Sequence, residues 1–216
     1  MSRSAIRSCP ITLAVIAAAA LAAPASAQVS TLTPAAQAAA DSGRPPYTPG
    51  DVAFMTGMIA HHGQAVLIAG WAPSHDAGAS VRTLCERIVV GQQDEIAAMQ
   101  RWLRARHLPV PDPGAPHEMA MPGMGHDTLM PGMLTSAQLA QLDAARGTGF
   151  DRLFLTFMIQ HHQGAITMVE QLLAQPGSTQ DPLMFRITAD VNADQGSEID
   201  RMQRMLAALP PGGTNQ

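Results

Sequence analysis

The sequence predicts an all-α domain, an up-and-down four-helix bundle made of two copies of one helical hairpin. Three observations carry this. No segment shows the strict alternation of a strand, and aromatic residues are sparse at 4% while Ala and Leu abound. A first motif repeats at an offset of 100: Asp51, Phe54, Met58, Ile59, His61, His62 and Ala65 return as Asp151, Phe154, Met158, Ile159, His161, His162 and Ala165. A second repeats at an offset of 103: Gln92, Glu95, Ile96, Met99 and Leu103 return as Gln195, Glu198, Ile199, Met202 and Leu206. One hairpin cannot bury its apolar stripe alone, but two can bury theirs against each other around a pseudo-twofold axis.

The elements follow in order. Residues 1–27 read as a cleavable signal peptide. Arg3 and Arg7 open it, Ile11 to Ala23 is a short apolar run, and Ala25-Ser26-Ala27 places the cut before Gln28. Residues 28–50 form an N-terminal segment, and the bundle domain spans 51–209. The first hairpin covers 51–106. Its first helix is expected from Asp51 to Trp71, after Pro49-Gly50 and with Asp51 at its N-terminus. Its second, capped by Ser74 or Asp76, runs to about Arg106. Thr135 caps a short helix, Ser136 to Arg146. The second hairpin covers 151–209, with helices from Asp151 to Gln175 and from Pro182 to Leu209 around a turn at Pro176-Gly177-Ser178. No segment beyond the leader is expected to be apolar enough to cross a membrane.

Charge narrows the function. Without Arg3 and Arg7, eleven Arg and no Lys face seventeen acidic residues, a net charge of −6. Such a chain is a poor nucleic-acid ligand and attracts cations. Cys9 leaves with the leader, so Cys85 is alone in the mature chain and reads as a small buried apolar residue. The expected location is the periplasm or the exterior.

The histidine pairs are the first candidate site. Successive helical residues point about 100 degrees apart. His61 therefore shares a face with Phe54, Met58 and Ala65, and His161 shares one with Phe154, Met158 and Ala165. His62 and His162 point toward the edge of that face. Glu95 and Glu198 lie on the partner helices. Imidazole is a common ligand for copper, zinc, iron and nickel. A buried His bonded to a facing Glu and doing nothing more is the structural alternative.

At these residues the chain resembles a bacterial family labelled domain of unknown function 305. The resemblance rests on Asp51-x-x-Phe54-x-x-x-Met58-Ile59-x-His61-His62, on its copy from Asp151 to His162, and on Gln-x-x-Glu-Ile-x-x-Met in both second helices. It implies a ferritin-like helical bundle and export, and, by analogy with some members, periplasmic copper binding in support of copper tolerance. The two copies depart from each other in one place: Gly63-Gln64 follows His62, whereas Gln163-Gly164 follows His162.

A second candidate site is the Met-rich connection, 109–133. Its stretch from His117 to Met133 holds five Met and two His in seventeen residues: Met119, Met121, Met124, Met130 and Met133, with His117 and His126. The Pro-Gly steps break any helix that could bury these side chains, and thioether sulfur favours Cu(I). The expected function is thus an exported, non-catalytic protein binding copper, as Cu(I), Cu(II) or both, for periplasmic copper tolerance or trafficking, with a copper-handling protein as its partner. Two alternatives stand: a ferritin-like His/Glu metal-dependent oxidoreductase and a metal-free structural or interaction module. A di-iron carboxylate centre is disfavoured, because none of the five Glu begins a Glu-x-x-His.

Overall fold

The computed structural model describes residues 43–114 and 129–210. The expected signal peptide and the stretch carrying His117, Met119, Met121, Met124 and His126 lie outside the described residues. The described chain is all-helical. Its helices are α1 (Pro49–Ala69), α2 (Ala79–Ala105), α3 (Ser136–Ala144), α4 (Gly147–Leu173) and α5 (Pro182–Ala208). The long helices pack as two hairpins, α1 on α2 and α4 on α5, joined by α1 against α4 and α2 against α5. The short α3 packs on α4.

Helix ends differ from the sequence reading in instructive ways. The cap of α1 is Thr48, not Asp51, and the helix takes in Pro49 and Gly50. Pro is favoured in a first turn, where its missing N–H is no loss. Asp51 sits at the third position and completes a capping box, its Oδ2 accepting from the Thr48 N–H at 2.8 Å. Neither Ser74 nor Asp76 caps α2, whose N-cap is Gly78. The α4 helix begins at Gly147, four residues ahead of Asp151. The expected cap of α3 holds, Thr135 forming a capping box with Gln138; α5 has a cap the sequence reading did not name, the Asp181 carboxylate, which accepts from the Leu183 and Met184 N–H groups.

Two buried carboxylates exchange partners between hairpins. Asp51 Oδ1 accepts the Thr179 N–H at 2.9 Å, in the turn between α4 and α5. Asp151 accepts the Gly78 N–H at 3.1 Å, at the start of α2. Each first helix is thus tied at its beginning to the other hairpin's turn, which fixes α1 and α4 antiparallel. Cys85 is buried, and burial pushes its thiol up to about 12, as befits an inert core residue.

One expectation about hydropathy is corrected. By length and composition alone α1, at 21 residues, is long and apolar enough to cross a membrane. Its apolar side chains instead fill the interior: Phe54, Met55, Met58, Ile59, Ala65 and Ile68 are all buried. A helix apolar all round is what a bundle core needs as much as a bilayer does.

The interior has two apolar halves. One gathers the end of α1, the first half of α2, the beginning of α4 and the end of α5, including Ile68, Leu84, Ile88, Phe150, Phe154 and Met202. The other gathers the remaining halves, including Phe54, Met58, Met99, Trp102, Leu172 and Val191. In every long helix the change from one half to the other falls at polar residues. These are His61 and His62 in α1, Gln92 and Glu95 in α2, His161 and His162 in α4, and Gln195 and Glu198 in α5.

Candidate metal centre

The two sequence motifs therefore meet in a polar layer across the middle of the bundle. His61, His62 and His162 are fully buried and His161 is 1% exposed. The helical wheel had placed His62 and His162 toward the edge of the apolar face. They do point toward the partner helix, but that helix covers them completely. The His62 Nε2–H donates to Glu95 Oε2 at 2.6 Å, and the His162 Nε2–H donates to Glu198 Oε2 at 2.7 Å. Each couple lies within one hairpin. The cross-hairpin contact belongs to the other members of the pairs: the His61 and His161 rings face each other with centroids 3.9 Å apart. Ring centroids within a pair are 6.3 Å apart for His61–His62 and 6.2 Å for His161–His162.

The end of the Met-rich connection sits directly on this layer. The Pro131 carbonyl accepts from His61 Nε2 at 2.9 Å. Gln64 fixes the same stretch, accepting from the Leu134 N–H at 2.7 Å and donating to the Leu134 carbonyl at 3.1 Å. The departure between the two copies now has a physical reason. A Cβ at Gly164 would collide with the Pro131 carbonyl, and one at Gly63 would collide with that of Pro113. The connection presses its backbone on α1 as it leaves and on α4 as it returns. Each contact needs a glycine, and the two contacts fall at different registers.

Electrostatics sets the protonation of the layer. Burial, followed by the charges His61, His162 and His62 would carry, pushes the His161 imidazole well below the ordinary histidine range. Burial also lowers His162, although its bond to Glu198 works the other way. Both rings are accordingly neutral near pH 7. Neutral imidazole is the form that can ligate a metal.

Hydrogen bonding leaves part of the layer unsatisfied. Neither ring nitrogen of His161 makes a well-formed hydrogen bond, although the His61 backbone lies near enough to favour its protonated form weakly, and Nδ1 of His62, Nδ1 of His162 and Oε1 of Glu95 have no hydrogen-bond partner. Buried polar atoms without partners cost about 1–3 kcal/mol each, so a group of them calls for a reason. Nitrogen donors of this kind suit copper, so the residues fit the ion that the family resemblance implies. Among the described residues no three His, Cys, Asp or Glu side chains stand together as a ready-made ligand set. Each Glu–His couple offers two.

The methionines divide. Met58 and Met158, one turn before the histidines, are fully buried in the two apolar halves. Met133 is also buried and Met130 is partly buried against the core. The expectation that Pro-Gly steps keep the connection's methionines out of the core is therefore corrected for these two. Burial there needs no helix, only the close backbone approach at Gly164. Sequence reasoning also missed the Pro131 carbonyl and Gln64. The shift from Gly-Gln to Gln-Gly was the visible trace of both.

Comparison with known proteins agrees with the all-helical fold. No curated protein matches the chain. Among solved structures, a DUF305 fragment from Deinococcus radiodurans is 30% identical with a TM-score of 0.64, covering 76% of this chain and 100% of that one. CopM in its Cu(II)-bound form is 28% identical with a TM-score of 0.57, over 73% of this chain and 95% of that one. CopM in its Cu(I)-bound form is 26% identical with a TM-score of 0.56, over 75% and 97%. The family described as domain of unknown function DUF305 matches residues 51–206, which take in all but the outermost residues of the two hairpins and every residue of the polar layer, and the chain belongs to that family.

Proposed function

We propose that this protein binds copper in the histidine layer and serves copper tolerance or trafficking in the periplasm. The observation that carries the reading is a layer of four buried histidines that divides the apolar core and leaves ring nitrogens without partners. A layer evolved only to close the core would satisfy its own hydrogen bonds. His161 does not, which weighs against the metal-free alternative. The copper-bound forms of CopM, similar in fold, support the choice of metal.

The reading gives each side chain a role. His62 and His162 give their Nε2–H to carboxylates and so present Nδ1 as the lone-pair nitrogen. Carboxylate partners of this kind hold a ligating imidazole in one tautomer and raise its basicity. Glu95 and Glu198 are thus orienting partners before they are ligands. Met58 and Met158 lie one turn from the histidines and offer soft sulfur to Cu(I).

The Met-rich connection is a second copper site, a reading that rests on its composition alone. Replacing Met119, Met121, Met124, Met130 and Met133 with Leu removes the sulfur and keeps the apolar bulk. This change is expected to weaken Cu(I) binding while Cu(II) binding by the histidines persists. The whole reading is tested by metal analysis of protein purified from the periplasm, followed by copper titration. Bound copper and saturable uptake are expected. Metal-free protein whose melting ignores added copper would favour a structural module.

A further inference from the structure

The two carboxylates that hold the histidine layer, Glu95 and Glu198, share a cleft with a third acid that the layer does not use, Asp194. A cleft of about 220 Å³ opens between α2 and α5, lined by Arg87, Gln92, Glu95, Asp194, Gln195 and Glu198. We infer that this cleft is a cation-loading vestibule: it holds a divalent cation with part of its water shell and delivers it to the histidine layer. The inference rests on the copper reading above and adds where the ion enters and which side chains draw it in.

Four observations support it. The histidines have no exposure of their own, whereas the Glu95 and Glu198 side chains are 15% and 23% exposed. From the cleft a chain of neighbours leads inward on each side: Glu95 bonds His62, whose ring centroid is 6.3 Å from that of His61, and Glu198 bonds His162, whose ring centroid is 6.2 Å from that of His161. Next, Gln92 and Gln195 are 3% and 1% exposed, line the cleft, and keep Oε1 without a hydrogen-bond partner. Unpartnered amide oxygens are acceptors suited to a cation or to its bound water. The cleft is also large enough for an ion with several waters.

The fourth observation is a break in the repeat symmetry. Along α5 the carboxylates of Asp190, Asp194 and Glu198 follow one another at intervals of four residues; their counterparts along α2 are Arg87, Gly91 and Glu95. Like charges at that interval disfavour a helix, so a stability argument does not explain them. Glu95, Glu198 and Asp190 all lie close enough to Asp194 to repel its charge. A bound cation would relieve this crowding.

The test is stopped-flow mixing of the full mature chain with glycine-buffered Cu2+ at low ionic strength, beside an equilibrium titration. Asp194→Asn is expected to slow association roughly threefold while equilibrium affinity changes far less. Gly91→Asp restores the missing carboxylate at a position where a Cβ meets nothing within 4 Å, and it is expected to speed association. Asp200→Asn, an equal charge change on α5 outside the cleft lining, should leave the rate near that of the parent. Three variants with one common rate would overturn the vestibule and leave copper binding standing. A parent that takes up no copper at equilibrium would overturn both.

Discussion

The His61 and His161 rings, one from each hairpin, meet at the pseudo-twofold axis with centroids 3.9 Å apart and planes tilted by 38°. Two imidazoles this close cannot both carry charge cheaply. His161 is the more demanding partner, since neither of its ring nitrogens makes a well-formed hydrogen bond. Replacing it with Leu removes two unsatisfied buried atoms and keeps most of the volume. His161→Leu is expected to melt higher, by about 1 kcal/mol or more of stability, yet to lose copper affinity. If its copper titration matched the parent's, the stacked pair would be outside the site.

Stability should depend on pH in a defined direction. The folded-state values of His161 and His162 lie below the ordinary 6.5. The unfolded chain therefore binds more protons than the folded one once pH drops below about 6.5. Stability is full above that value and falls as pH decreases toward the folded-state values, by up to roughly 1.4 kcal/mol per pH unit for each histidine. Denaturant melts of metal-free protein between pH 7.5 and 5 are expected to show this slope, and His161→Leu should flatten it. A parent profile flat across that range would contradict neutral buried histidines.

The exchanged carboxylates should matter to folding and not to metal. Asp151→Ala leaves the Gly78 N–H without its acceptor and is expected to cost about 1–3 kcal/mol. Urea denaturation would measure the loss, and copper affinity of the folded variant should stay within about twofold of the parent's, since distant sites act independently.

Two glycines in helices should respond oppositely to one methyl group. A Cβ at Gly164 collides with the backbone at Pro131 and Gly132, whereas one at Gly196 meets nothing within 4 Å. Gly164→Ala is expected to lower stability and to detach the Pro131 carbonyl from His61. Gly196→Ala is expected to raise stability by about 0.5–1 kcal/mol through helix propensity. Thermal melts of the two variants give the comparison directly; equal shifts would show that the connection does not press on α4.

The repeat made the fold legible. Two copies of Asp-x-x-Phe and of Gln-x-x-Glu-Ile placed four helices and their order, and His61 and His161 fell on the inward face by periodicity alone. Helix starts were less legible, because caps are local and sometimes borrowed. Nothing in Ser74-His75-Asp76 reveals that the Gly78 N–H finds its acceptor on Asp151, 73 residues away. The complete burial of His62 and His162 was not legible for a similar reason. A wheel shows one helix, whereas their burial is made by α2 and α5. The role of Gly63 and Gly164 was visible only as a mismatch between copies. Its cause is a backbone contact that no side-chain pattern encodes.

The central claim is that copper sits among the four histidines. Electron paramagnetic resonance of the Cu(II)-loaded protein tests it most directly, since imidazole nitrogens split the copper signal. The account predicts nitrogen splitting from at least two imidazoles in the parent and loss of part of it in His161→Leu. A spectrum with oxygen ligation only, unchanged in that variant, would contradict the account.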